Sequence, residues 1–284
     1  MYIDEERNTK FNRKIDMDLL LEGKRVLVTG SSRGIGEGII KALAQEGAIV
    51  IVHGRNEQDA KRVADDIMEN GGKAFVVAGD LNTDESAKKI VEAAITLLGG
   101  IDILVNNAGT YSARSWSDTT PDQWAEIYNT NVISIVRMIQ FCTPQMKEQG
   151  WGRIIMLGSA FGQYPGQIVA DYSSTKGATV TLGVSLAKEL ANTGITVNTV
   201  SPGPIVTNNF DKLALGIAKM SGMETTDLND IKQGFLEGPM QNPAGRLGKV
   251  EDVANLVTFV ASPLAGFING SNLRVDGGYV PTVN

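Results

Sequence analysis

Tyr172 and Lys176 stand four residues apart in a stretch that reads as helix from Asp171 onward. That spacing puts both side chains on one helix face, within reach of each other. A lone tyrosine, with a pKa of about 10, is a weak acid–base catalyst near neutrality. A neighbouring ammonium favours the phenolate and is expected to lower that value, so the pair can donate or accept a proton near pH 7. Ser159 can set a hydroxyl beside the same reacting oxygen. A Tyr-x-x-x-Lys pair also occurs on plain surface helices, so its weight comes from the elements around it.

Those elements begin with an apolar run over 24–29 that reads as a buried strand. Gly30-Ser-Ser-Arg-Gly34-Ile-Gly36 follows, and then a helical pattern to Glu46. Strand, glycine turn and helix together place a pyrophosphate at a helix N-terminus. The spacing is Gly-x-x-x-Gly-x-Gly rather than Gly-x-Gly-x-x-Gly. The next strand, 48–52, leads into His53-Gly54-Arg55-Asn56, where NAD-binding chains carry an acidic residue. Here Arg55, with Arg33 from the glycine turn, suits a 2′-phosphate, so NADP(H) is favoured over NAD(H).

The alternation continues with a helix over 56–70, a strand over 74–78, a helix over 83–98 and a strand over 101–105. Asp80 and Leu81 end one strand and are expected at the adenine. Asn106-Asn107-Ala108-Gly109 ends the next and leaves room for a ribose or a flat ring. A helix from Pro121 runs, with a bend, to Gln149 and contains Asn131, either a structural bond-maker or a site residue. Strand 152–157 ends at Gly158-Ser159, helix 171–191 carries the Tyr–Lys pair, and strand 195–200 leads to Ser201-Pro202-Gly203-Pro204-Ile205-Val206-Thr207. Residues 208–242 break the alternation and read as one or two short helices covering the site. A helix over 250–261 and a strand over 272–275 complete the chain. This order gives an α/β fold, a parallel sheet covered on both faces, with ligands beyond the strands' carboxyl ends. The expected division is an arm over 1–22 and a domain over 23–284.

The totals exclude several function classes. A net charge of −6 gives no support to nucleic-acid binding, and no apolar run is long enough to span a membrane. One cysteine, Cys142, allows no internal disulfide and reads as a core thiol. With His53 the only histidine, a soft-ligand metal site is not expected. Residues 1–22 lack the apolar core of a signal peptide, so a cytoplasmic location is expected.

Together these residues resemble the short-chain dehydrogenase/reductase family, from about Leu21 to Tyr279. The resemblance rests on Thr29-Gly30-x-x-x-Gly34-x-Gly36, Asn106-Asn107-Ala108-Gly109, Asn131, Ser159, Tyr172-x-x-x-Lys176, Pro202-Gly203 and Asp276-Gly277-Gly278. It implies a single Rossmann-type domain, a nicotinamide cofactor and a homotetramer or dimer. It further implies that Tyr172 is the general acid in ketone reduction and the base in alcohol oxidation. Lys176 would lower the tyrosine's pKa and bond the nicotinamide ribose, Ser159 polarise the carbonyl, and Asn131 hold a water linking Lys176 to solvent. Ser32 and Ile35 would line the phosphate turn, and Ile205 and Thr207 hold the carboxamide.

The chain is similar to 3-oxoacyl-carrier-protein reductases and to reductases of sugars and small ketones. At two positions where carrier-protein reductases place docking cations it has Gly150 and Thr193, which speaks against an acidic carrier. The main expectation is a small-molecule oxidoreductase acting on ketone and secondary alcohol. The alternatives are a 3-oxoacyl-thioester reductase and a nucleotide-binding scaffold without turnover. Pocket shape is expected to depend on 208–242, Tyr111, Tyr164 and Trp151.

Overall fold

Seven strands form one parallel sheet in the order β3-β2-β1-β4-β5-β6-β7 in a computed structural model. The structure describes residues 17–207 and 225–282, together with Phe210, Asp211, Ala214, Leu215 and Ala218. The strands are β1 Arg25–Val28, β2 Ile49–Gly54, β3 Lys73–Ala78, β4 Ile103–Asn106, β5 Gly152–Leu157, β6 Ile195–Pro202 and β7 Asn272–Val275. The helices are α1 Gly34–Gln45, α2 Glu57–Glu69, α3 Asp84–Leu98, α4 Pro121–Tyr128, α5 Ser134–Gln149, α6 Ala170–Glu189, α7 Leu228–Glu237 and α8 Val250–Ala261.

Alternation along each strand sorts the core into two layers. On β1, Val26 and Val28 face a cluster with Ile39, Ile40 and Leu43 of α1 and with Val253 and Val257 of α8. Leu27 faces the opposite cluster, with Ile90 of α3 and Ile135, Met138, Cys142 and Met146 of α5. Helices on both faces satisfy apolar strands that would otherwise meet water, and each fully buried Leu or Ile contributes about 1.5–3 kcal/mol. Leu21, inside the expected arm, is buried in the first cluster; residues 1–16 lie outside the described ones.

β1 pairs with β2 on one side and β4 on the other, so the strand order reverses there. The crevice at such a reversal, beyond the strands' carboxyl ends, is where open α/β sheets bind ligands.

Two local differences from the sequence reading have physical causes. The bend between α4 and α5 is a π-helical turn, Asn129–Ile133, which contains Asn131. In the 208–242 segment, Phe210, Ala214, Ala218, Ile231 and Phe235 form a small core together with Leu247, which follows the segment. Phe210 and Phe235 meet edge-on there at 6.3 Å. Within this segment 225–242 is described throughout and carries α7, and before it Phe210, Asp211, Ala214, Leu215 and Ala218 are described.

No described helix is long and apolar enough to cross a membrane. Among the described residues no cluster of His, Cys, Asp or Glu suits a metal. Cys142 is fully buried, which pushes its thiol up to about 12.

Candidate active site

The glycine turn is built from backbone. Gly30 and Gly34 adopt φ of 64° and 61°, the left-handed region that a side chain disfavours. A Cβ on Gly36 would lie 2.4 Å from both Asn107 Nδ2 and the Gly30 oxygen. Asn107 Nδ2 donates to the Thr29 and Gly30 carbonyls at 2.9 Å each, and Thr29 Oγ1 accepts the N–H groups of Asn107 and Ala108 at 3.0 Å each. Both amide protons of Asn107 are therefore occupied, and this residue, expected at the cofactor, ties the turn to the end of β4.

Sequence reasoning overlooked a second tie. His53, the last but one residue of β2, is buried, and its Nδ1 accepts the Gly30 N–H at 3.1 Å. The Ser31 N–H donates to the His53 carbonyl at 2.8 Å, and the His53 N–H donates to Ser31 Oγ at 2.9 Å. Burial holds this imidazole down to about 4, against the Gly79 carbonyl and the Asp80 charge, so it is neutral and can accept. Its being the sole histidine, at a strand end beside a glycine turn, was the available signal.

The turn fits a dinucleotide phosphate on structural grounds. Helix α1 starts at Gly34 behind Arg33, and no side chain caps its first N–H groups. Uncapped N–H groups at a helix start favour an anion. Ser32 lies under the turn against Gly54, and Arg62 donates to the Ser32 carbonyl at 3.1 Å while pairing with Glu37 at 2.8 Å. Arg33 and Arg55 are exposed, and no ion pair among the described residues engages either one. Asp80 is exposed and caps the Asn82 N–H at 2.9 Å. Leu81 is 7% exposed and packs in the second core cluster. Ile35 is partly buried against the other core layer.

Across the crevice, Pro202 ends β6, and the Gly203 N–H donates to the Val275 carbonyl at 2.9 Å. The Ile205 side chain is buried in the core, and its backbone runs beside Gly248. The Thr207 methyl lies 3.9 Å from where a Gly34 Cβ would sit, so this segment faces the glycine turn. Gly109 approaches Asn131, whose Oδ1 would lie 3.3 Å from a Cβ there.

The predicted Ser–Tyr–Lys group stands at the carboxyl ends of β5 and β6. Ser159 caps a short 3-10 turn, Ala160–Gly162, by accepting the Phe161 N–H at 3.2 Å. A Gly162 Cβ would lie 2.9 Å from the Lys176 backbone, so only glycine lets this turn press against α6. That approach brings the Ser159 side chain to the neighbourhood of Tyr172, where it favours the ionised phenol. Lys176 is buried, its Nζ donating to the Leu157 carbonyl at 2.6 Å and lying 5.6 Å from the Tyr172 ring centroid. The two side chains share one side of α6, as the spacing predicts.

Their ionisation differs from the sequence expectation. Burial pushes the Tyr172 phenol up to about 12, opposed by the Ser159 side chain. Burial pulls Lys176 down to about 8. The expected lowering of the phenol by the lysine is thus outweighed, because both groups are removed from water and Nζ bonds Leu157 instead.

Asn131 has no free side-chain proton. Its Oδ1 accepts the Thr110 N–H at 2.8 Å, and its Nδ2 donates to the Thr110 carbonyl at 2.8 Å and to Thr175 Oγ1 at 3.2 Å. Thr175 Oγ1 in turn donates to the Tyr172 carbonyl at 2.7 Å. Asn131 therefore joins the π-helical turn to the helix that carries Tyr172, a link no sequence spacing announced.

Three pocket and docking expectations resolve differently. Tyr111 lies 5.7 Å from Tyr172, and Tyr164 joins the same aromatic group through Tyr279 and Phe161. Trp151 does not line the site. It precedes β5, between Lys24 at 4.0 Å and Arg153 at 4.5 Å, and a six-residue strand puts it about 20 Å from the β5 carboxyl end. Gly150 and Thr193 also flank the amino ends of β5 and β6, because Gly194 packs directly on the Gly150 carbonyl. Their lack of charge therefore says nothing about docking near Tyr172.

A family model described as short chain dehydrogenase matches residues 24–216. The chain is 38% identical over 264 residues to the 3-oxoacyl-[acyl-carrier-protein] reductase FabG of Aquifex aeolicus, covering 92% of this chain and 99% of that protein. It is 36% identical over 264 residues to the uncharacterized oxidoreductase YvrD of Bacillus subtilis, covering 93% of this chain and 99% of that protein. The crystal structure of L-sorbose reductase from Gluconobacter frateurii, complexed with NADPH and L-sorbose, superposes with a TM-score of 0.89 at 32% identity. That superposition covers 94% of this chain and all of the sorbose reductase chain. With its parallel sheet, its glycine turn at the strand-order reversal and its Tyr–Lys helix, the chain belongs to the short-chain dehydrogenase family of oxidoreductases.

Proposed function

We propose that this protein is an NADP(H)-dependent oxidoreductase interconverting a ketone and a secondary alcohol, with Tyr172 as general acid and base. The observation that carries the reading is the gathering of Ser159, Tyr172 and buried Lys176 at the strand ends that face the glycine turn, with Lys176 Nζ 5.6 Å from the Tyr172 ring centroid. A nicotinamide coenzyme, when bound, supplies the hydride. The chain's own residues position and protonate. The uncapped start of α1 receives the phosphates, and Arg33 and Arg55 meet the 2′-phosphate. Ile205, through its backbone, and Thr207 hold the far edge of the ring. The NADPH in the sorbose reductase complex agrees with the coenzyme assignment.

Ser159 Oγ and Tyr172 Oη converge on the carbonyl oxygen, which receives the phenolic proton as it gains negative charge. A phenol held above its ordinary pKa is protonated at neutral pH, the form that ketone reduction needs. With both amide protons of Asn131 taken, any relay water it holds bonds its main-chain oxygen. The described part of 208–242 covers the site, and the assembly is a homotetramer or dimer, tested by sedimentation at micromolar concentration.

The assignment is tested with Tyr172→Phe. NADPH binding should stay within about twofold while kcat/KM falls by about a thousandfold. Turnover near the parent's level would remove Tyr172 from the role.

A second reading, 3-oxoacyl-thioester reduction, is favoured by the identity to the Aquifex reductase. Comparing kcat/KM for a 3-oxoacyl-CoA and for its parent ketone separates the two, since a thioester enzyme prefers the former.

A further inference from the structure

One wall of the site has no role in proton transfer. Phe161 meets Tyr172 edge-on at 6.4 Å between centroids, Tyr279 meets Phe161 at 6.5 Å, and Tyr164 meets Tyr279 at 5.8 Å. These are the separations of packed aromatic pairs. The row runs outward: Tyr172, Phe161 and Tyr279 are partly buried, and Tyr164 is 47% exposed. It therefore extends from the proton donor to solvent and presents ring edges and faces along the way.

Tyr279 reaches this row from the far end of the chain and is held there. Its N–H donates to the Asp276 carbonyl at 3.0 Å. The Asp276 carboxylate accepts the Gly278 and Val280 N–H groups at 3.0 and 3.1 Å. Arg274, on β7, donates from Nη1 to the carbonyls of Val280 at 3.2 Å and Thr282 at 3.0 Å. Gly277 and Gly278 take φ of 63° and 83°, which turns the chain back toward the site. Val280, the next residue after the tyrosine, is buried and anchors the tail.

A tail tied down by an Asp and an Arg, with its one aromatic ring set against Phe161, one ring from the proton donor, is organised to present that ring. We propose that Tyr279 is a specificity-determining residue that packs against the larger, C–H-bearing substituent of the ketone, with Asp276 and Arg274 as its positioning residues. This rests on the assignment of Tyr172 as the acid and base.

The test uses NADPH and two methyl ketones, butan-2-one and 4-phenylbutan-2-one, and reads the ratio of their kcat/KM values. The parent should favour the larger ketone. Tyr279→Ala should lower that ratio about tenfold, through KM of the larger ketone rather than kcat. Tyr279→Phe should restore it, because the ring and not the hydroxyl forms the wall. Arg274→Met, remote from substrate, should shift the ratio in the same direction as Tyr279→Ala. A parent without preference, an unchanged ratio in Tyr279→Ala, or a Tyr279→Phe protein that behaves like Tyr279→Ala would overturn the inference. Tyr172→Phe keeps the two claims apart. If it still turns over both ketones, the acid–base assignment fails. If it is inactive and Tyr279→Ala leaves the ratio unchanged, only the role of Tyr279 fails.

Discussion

The proposed coenzyme half and the proposed substrate half of the site are built in opposite ways. The glycine turn is local: Thr29 to Gly36 is one segment, and its braces His53, Arg62 and Asn107 lie on the neighbouring β2, on α2 and just past β4. It works through backbone N–H groups, so its chemistry depends on φ, on close approach and on absent side chains. The substrate half draws Tyr111, Ser159, Phe161, Tyr172 and Tyr279 from separate loops, one helix and the tail. It works through side chains whose directions are fixed by distant packing. A backbone site tolerates little change in its own few residues, whereas a side-chain site can change its substrate by altering remote segments.

Breaking each half should produce different failures. After Tyr172→Phe, the largest effect is expected from Ser159→Ala, which removes a hydroxyl from the proposed reacting oxygen. Steady-state kinetics should show kcat lower by about a hundredfold or more, while the NADPH dissociation constant holds. A matched loss of coenzyme affinity would mean that the two halves are not separable.

Next in size is the pH response of the glycine turn. His53 titrates near 6.5 when unfolded and near about 4 when buried. The unfolded chain therefore binds the extra proton between those values, and stability that is complete above pH 6.5 is lost as pH falls toward 4. The contribution is about 3 kcal/mol. Denaturant unfolding at both pH values, compared with His53→Asn, should show the parent losing this much more. Equal losses would mean that the imidazole is not held neutral.

Gly36→Ala should cost about 2 kcal/mol, because its Cβ would collide with Asn107 and the Gly30 carbonyl. Thermal unfolding should report the loss, and NADPH titration should show weakened binding. Intact binding would show that the turn has more freedom than its backbone contacts imply. The smallest expected change is that of Arg55→Glu, which should reduce the ratio of kcat/KM for NADPH to that for NADH by about tenfold. An unaltered ratio would leave Arg55 as a solvated surface charge.

Much of this protein was legible in the order of its residues. Short apolar runs alternating with amphipathic segments dictate a parallel sheet with helices on both faces, because strands buried on both sides need such cover. Local rules also place Gly30, Gly34, Gly36, Ser159, Tyr172 and Lys176 at strand ends or on one helix face, since period and turn chemistry act over a few residues. Tertiary structure decided what spacing cannot encode. It buried Lys176 and drew the Tyr172 phenol away from water, so desolvation rather than their mutual charge governs the phenol. It turned Asn131 into a bracket through Thr110 and Thr175, gave His53 the Gly30 N–H, sent Trp151 to the opposite end of the sheet, and carried Tyr279 to Phe161, the ring that packs on Tyr172. Each of these depends on which distant segments exclude water from one another, and that is settled only when the whole sheet closes.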